Sequence, residues 1–79
     1  MLLSGEQIEQ KNKGALLALL AWVGTRKRLA EQCGVTPQTV YYWINRGRIS
    51  ATCAKIVEEK TGGMFTKEYL RADVTDWNK

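Results

Sequence analysis

An all-α fold of four to five short helices follows from three features of this 79-residue chain. Cap-forming Ser and Thr residues and glycines punctuate it at helical lengths, and apolar residues between them recur at spacings of three and four. No strand-like alternation runs for more than a few residues, and there is no internal repeat. With 44% apolar and 25% charged residues, 7 Gly and 1 Pro, the composition is that of a globular chain rather than a disordered or fibrous one. The length supports one domain over residues 1–79, in which about 60% of the unfolded chain's surface is buried and no volume remains for a large catalytic cleft.

The first helix rests on Ala15 to Val23, nine consecutive apolar residues. Ser4 followed by Gln7 forms a capping-box pattern that would start this helix early, and the alternative is a flexible arm over residues 1–12. The run imitates the apolar part of a secretory signal, but Glu6 and Glu9 precede it, Thr25-Arg-Lys-Arg follows it, and no small-residue cleavage site appears. Nine residues also fall short of the roughly 20 needed to span a bilayer, so a cytoplasmic chain without a membrane partner is expected. Gly24 ends the helix.

Thr25 is placed to cap a second helix, Arg26 to Cys33, with Leu29, Ala30 and Cys33 inward and Gly34 as its stop. Thr36 caps a third helix that has Pro37 at its first position, runs to about Arg46 and stops at Gly47. Ser50 caps a fourth helix to Lys60 with Cys53, Ile56 and Val57 inward, broken by Thr61-Gly62-Gly63. A short fifth helix or turn is expected from Thr66 to Arg71, followed by an irregular tail through Trp77. Within residues 64–79, Phe65, Tyr69, Leu70, Val74 and Trp77 are more apolar surface than a solvated tail carries, so this segment either caps the core or forms a homodimer contact.

The inventory excludes most chemistry. No histidine and only Cys33 and Cys53 are present, which removes Cys/His zinc sites, Ser-His-Asp triads and a multi-disulfide framework. Both cysteines have core spacing and are expected as reduced structural thiols. Glu58-Glu59 and Asp73/Asp76 are carboxylate pairs with no evident basic partners or cleft, and Gly62-Gly63 lacks the Gly-Lys-Ser/Thr context of a phosphate loop. No enzyme activity, metal, cofactor or small-molecule substrate is expected.

The net charge of +4 is localised. Met1 to Val23 has two cations and two anions, and Ile49 to Lys79 has five of each. Gly24 to Arg48 holds Arg26, Lys27, Arg28, Arg46 and Arg48 against Glu31 alone. Within that basic stretch the second and third helices have the pattern of a helix-turn-helix: Ala30 at the close approach, Gly34 four residues later, Val35 plugging the turn, then Val40 and Trp43 returning to the core.

At 100° per residue, with Val40, Trp43 and Ile44 inward, the third helix presents Gln38, Tyr42 and Asn45, flanked by Thr39 and Tyr41. Gln and Asn can pair bidentately with adenine, Thr offers a hydroxyl and a methyl, and Tyr hydroxyls reach bases or phosphates. These five are the candidate base readers, although packing under a loop or a dimer contact also accounts for the tyrosines. Arg26, Lys27 and Arg28 sit in the first turn of the second helix, where the helix dipole disfavours cations, and a phosphate there would relieve the misfit. Thr25, Arg26, Lys27, Arg28, Thr36, Arg46 and Arg48 are the candidate phosphate contacts, each of which taken singly is also an ordinary solvated side chain.

The stretch Leu29-Ala-Glu-Gln-Cys-Gly-Val-Thr-Pro-Gln-Thr-Val-Tyr-Tyr-Trp43, with Gly47-Arg-Ile-Ser50, Cys53, Glu58, Thr61-Gly-Gly63 and Leu70-Arg-Ala-Asp-Val74, resembles the small Cro-like helix-turn-helix regulators of prophages, among them a group labelled YdaS-like antitoxins. The resemblance covers roughly Gly24 to Val74. It implies a lambda-repressor-like helix-turn-helix domain, repression through operator DNA, commonly as a dimer, and Gln38, Thr39, Tyr41 and Tyr42 at base-reading positions. The Met1 to Lys13 extension is longer than such proteins usually carry, and Ala15-Leu-Leu leading into Gly24-Thr25 is similar to lambda-type early activators. Two classes stay open: a regulator of transcription bound as a homodimer to a palindromic operator in double-stranded DNA, whether repressor or early activator, and an antitoxin-like protein-interaction module.

Overall fold

The computed structural model describes residues 5–75 and 77. Five helices follow one another, α1 (Gly5–Val23), α2 (Arg26–Cys33), α3 (Pro37–Arg46), α4 (Ala51–Lys60) and α5 (Lys67–Leu70), with no strand among the described residues.

The three expected caps, Thr25, Thr36 and Ser50, form through one local bond each, and Thr66, expected inside its helix, is a fourth. Thr25, Thr36, Ser50 and Thr66 lie in extended backbone, and their side-chain oxygens accept from the N–H groups of Arg28, Thr39, Cys53 and Tyr69 at 3.1–3.3 Å. Gly34 leaves α2 with φ 70° and Gly47 leaves α3 with φ 79°. The next residue then donates back across the helix end, Val35 to the Ala30 carbonyl at 2.9 Å and Arg48 to the Trp43 carbonyl at 3.1 Å. α5 is a single turn, shorter than 66–71, because Thr66 and Arg71 serve as its two caps.

At the start of the chain the structure takes the early-helix alternative. Residues 5–12 are the first two turns of α1 and not an arm, while Ser4 and its pairing with Gln7 lie outside the described residues. What holds this part is Asn12, a polar residue only 3% exposed. Its amide donates to Asp73 Oδ1 at 2.8 Å, and its carbonyl oxygen accepts from the Ala72 N–H at 2.7 Å, so both ends of the buried side chain are satisfied.

Asp73 is in turn gripped by Arg71, whose Nε and Nη2 reach its two oxygens at 2.8 and 2.7 Å while Nη1 donates to the Ile49 carbonyl at 3.0 Å. The Arg71 bonds hold the Asp73 carboxyl well below its ordinary range, with the Asn12 bond adding to the effect. Glu58 likewise pairs with Lys67 at 3.0 Å. These carboxylates therefore do have basic partners, contrary to the sequence reading, and the partners are structural; Asp76 lies outside the described residues.

Leu16, Leu19, Leu29, Val40, Ile49 and Leu70 are fully buried and, with Cys53, Ala54 and Val57 of α4, draw all five helices and the α3–α4 link into one core. In α4 the buried residues are Cys53, Ala54 and Val57, with Ile56 only half-buried. At 100° per residue Ile56 lies about 100° from the middle of that face, so the small Ala54 takes the inner place that was expected for Ile56. Phe65 and Trp77 pack against the core and Leu70 is inside it, so the C-terminal segment closes the domain.

Candidate nucleic-acid interface

α2 and α3 pack on one another across the turn Gly34–Val35–Thr36, with Leu29, Ala30, Val40 and Trp43 buried between them and the rest of the core. Fixing these four side chains fixes what α3 turns outward. Gln38, Tyr41, Tyr42 and Asn45 are exposed, the two tyrosines 51% and 55% so. Thr39 is half-buried, its hydroxyl 3.2 Å from that of Thr36. The tyrosines are therefore not packed under a loop, and the face they share carries no charge until Arg46.

Each tyrosine is paired with one of the flanking arginines. The Arg26 guanidinium lies 5.5 Å from the centre of the Tyr41 ring, across the α2–α3 angle. The Arg46 guanidinium lies 5.3 Å from the Tyr42 ring, and its Nη1 donates to the Tyr42 hydroxyl at 2.6 Å. Such contacts hold long cationic side chains against the face of the helix and are worth about 0.5–1 kcal/mol at exposed sites. The Arg26 contact also offsets part of the unfavourable position of a cation in the first turn of α2.

Arg26, Lys27, Arg28, Arg46 and Arg48 are all exposed, and none forms an ion pair with a described residue. Arg48 joins Tyr42 and Arg46 around a shallow hollow at the end of α3, so the three lie together on one flank. Thr25 and Thr36 hold the starts of α2 and α3 through their side-chain oxygens; the Thr25 hydroxyl hydrogen is left as a donor, while the Thr36 hydroxyl shares a bond with that of Thr39.

Two features of this region were not in the sequence reading. α1 runs beside the end of α3, where Glu6, Glu9, Gln10 and Lys13 share a groove with Ile44, Asn45, Arg46 and Gly47. Asn45 thus lies at an acidic border, while Lys13 adds a cation next to the two arginines. A side chain at Gly47 would meet the Lys13 Cβ at 3.7 Å, which places the stem of Lys13 on that turn. No local signal linked Lys13 to α3, since the approach depends on how α1 crosses the core.

Cys33 and Cys53 are both free and buried. Burial pushes the Cys33 thiol up to about 12, with the neighbouring Cys53 adding to the effect. Among the described residues there is no group of acidic or Cys side chains that could hold a metal ion, and no helix is long and apolar enough to cross a membrane.

No curated protein and no solved structure matches the chain. The family described as bacterial toxin YdaS matches residues 16–79, which takes in the later part of α1, the whole helix-turn-helix and the C-terminal closure. By that match over most of its length, the chain belongs to the YdaS family.

Proposed function

We propose that this chain is a sequence-specific DNA-binding regulator of transcription, of the Cro-like prophage kind, and not an enzyme. α3 lies in the major groove of a palindromic operator, and a homodimer presents two such helices. The observation that carries this is the exposed face of α3, hydrogen-bonding and uncharged at its centre, bracketed by five cations that have no acidic partner among the described residues.

Gln38 offers a bidentate donor and acceptor set to adenine, Thr39 a methyl and a hydroxyl, and Tyr41 and Tyr42 their ring edges and hydroxyls; Asn45 reads at the edge of the face. Arg28 and Lys27 bind phosphate from one flank together with the free N–H groups at the start of α2, and Arg48 from the other. Arg26 and Arg46, lying over the tyrosine rings, position the readers and meet phosphate at their tips. Five phosphate contacts per chain correspond to a slope of log K against log salt of about −4 to −5.

Fluorescence anisotropy on a pool of randomised duplexes at two salt concentrations tests this. Tight binding at low salt that weakens steeply with salt is expected, and no binding at low salt would overturn it. A second reading takes its support from the family's description as a toxin: a protein-interaction module whose basic face covers an acidic protein. It expects a stable complex with a co-expressed protein and no shift of DNA.

A further inference from the structure

The apolar run of α1 is buried on one side only. Ala15, Leu16 and Leu19 enter the core, while Gly14, Leu17, Ala18, Ala21 and Trp22 stay exposed, Trp22 by 55%. No charged residue interrupts this outer face from Gly14 to Trp22 in a chain that is 25% charged. The face is also uneven. At one end lies the half-exposed bulk of the Trp22 indole, braced by Phe65 with the ring centres 5.6 Å apart. At the other end there is a hollow over Gly14, walled by Lys11, Ala15, Glu68, Tyr69 and Ala72, with a volume of about 390 Å³. Nothing lies within 4 Å of where a Gly14 side chain would begin.

The knob and the hollow are related through Ala18. Gly14 is four residues before it and Trp22 four after it, about 6 Å away in each direction at the helical rise. The three lie on one i, i+4 row, and two such rows run along each other when helices cross at about −50°, the commonest packing class. A two-fold axis through Ala18 then exchanges the two ends, setting each Trp22 over the other copy's Gly14 and beside its Tyr69. An isologous interface requires a patch complementary to itself in this way, and a chance apolar patch does not meet that requirement.

We propose that the occupant of this face is a second copy of this chain, and that the Gly14–Ala18–Trp22 row of α1 is the core of a two-fold interface. The charges at the rim fit the same occupant, since Lys11 and Glu68 edge the hollow together and present both signs to an identical surface. α3 contributes no residue to the row, so its outer face stays free in the pair. The proposal deepens the dimeric reading given above by locating the contact, and it is tested without DNA.

Sedimentation equilibrium of the full chain at increasing concentration is expected to show a reversible dimer. Ala18→Glu, at an exposed helical position, is expected to leave a monomer of unchanged helical content by circular dichroism. Gly14→Leu fills the hollow and should weaken the dimer at least tenfold without unfolding the chain. Ala18→Cys, on the axis, should form a disulfide-linked dimer under mild oxidation, whereas Thr52→Cys on exposed α4 should not. A wild-type chain that is monomeric at all concentrations, or a dimer indifferent to both Ala18→Glu and Gly14→Leu, would overturn the interface. Operator binding by such a monomer would leave the DNA reading standing, and a dimer without DNA binding would do the reverse.

Discussion

Arg46 and Tyr42 form a single unit on the outer face of α3, with the guanidinium 5.3 Å from the ring centre and a 2.6 Å hydrogen bond from Nη1 to the phenol oxygen. The arginine donates, so the tyrosine's own O–H is left to donate outward. A hydroxyl engaged in this way suits an acceptor such as guanine O6 or N7, thymine O4 or a phosphate oxygen, and it suits an amino group poorly.

Tyr42→Phe should therefore cost about 1–3 kcal/mol of discrimination at one base pair of the selected site. Fold stability should change by less than about 0.5 kcal/mol, as is usual at exposed positions. Competition titrations with single-base variants of the site, together with a thermal melt, check both statements. An equal loss on every duplex would instead make Tyr42 a backbone contact.

Reading and positioning should separate in a second pair of variants. Gln38→Ala is expected to relax the preference at one position while leaving the salt slope unchanged. Arg28→Ala should weaken all duplexes alike and make the slope shallower by about 1. Affinities measured at several salt concentrations on specific and random DNA distinguish the two, and identical behaviour of both variants would refute the division of roles.

Stability depends on a bond that neither partner's neighbourhood announces. Asn12→Ala leaves the Ala72 N–H unpaired inside the protein and should destabilise the fold by about 1–3 kcal/mol in chemical denaturation. The Asp73 carboxyl is held below its ordinary value of 3.8, first by the Arg71 bonds and then by that of Asn12. A depressed carboxyl adds stability above its unfolded pKa, and that stability is lost as the pH falls through the lower folded value. Wild-type melting temperature should thus decline below about pH 4, and the decline should be smaller in Asp73→Asn, which starts lower at neutral pH. Parallel pH dependence of the two proteins would contradict the assignment.

The helix-turn-helix was legible because its determinants are local. Thr25, Thr36 and Ser50 each bond to an N–H three residues on, and Gly34 and Gly47 supply the left-handed exits, so five short windows of sequence place α2, α3 and the start of α4. The Arg46–Tyr42 pair had readable i, i+4 spacing. The Arg26–Tyr41 contact did not, because it spans two helices and depends on their crossing. Asn12 was hidden in what read as a candidate arm, since its partners are Ala72 and Asp73, some sixty positions away. Ile56 was misplaced for a simpler reason: hydrophobicity favours it over Ala54, and only the rotation of α4 against the core reverses the order. The border at Asn45 formed by Glu6 and Glu9 likewise requires knowing where α1 passes.

Thiol chemistry gives an independent check on the core. With the Cys33 thiol pushed up to about 12 by burial and both cysteines inside, neither should react with an aromatic disulfide reagent at neutral pH in the folded state. Both should react at once in denaturant, and fast labelling of the native protein would show that the α2–α4 contact opens.

Base reading by the α3 face is what the proposed function stands on. It is tested most directly by selecting bound duplexes from a randomised pool with the wild-type chain and with Gln38→Ala, and sequencing them. A palindromic site is expected, with half-sites about 34 Å apart and one position in each half relaxed in Gln38→Ala. Binding without enrichment, or the same site from both proteins, would contradict it.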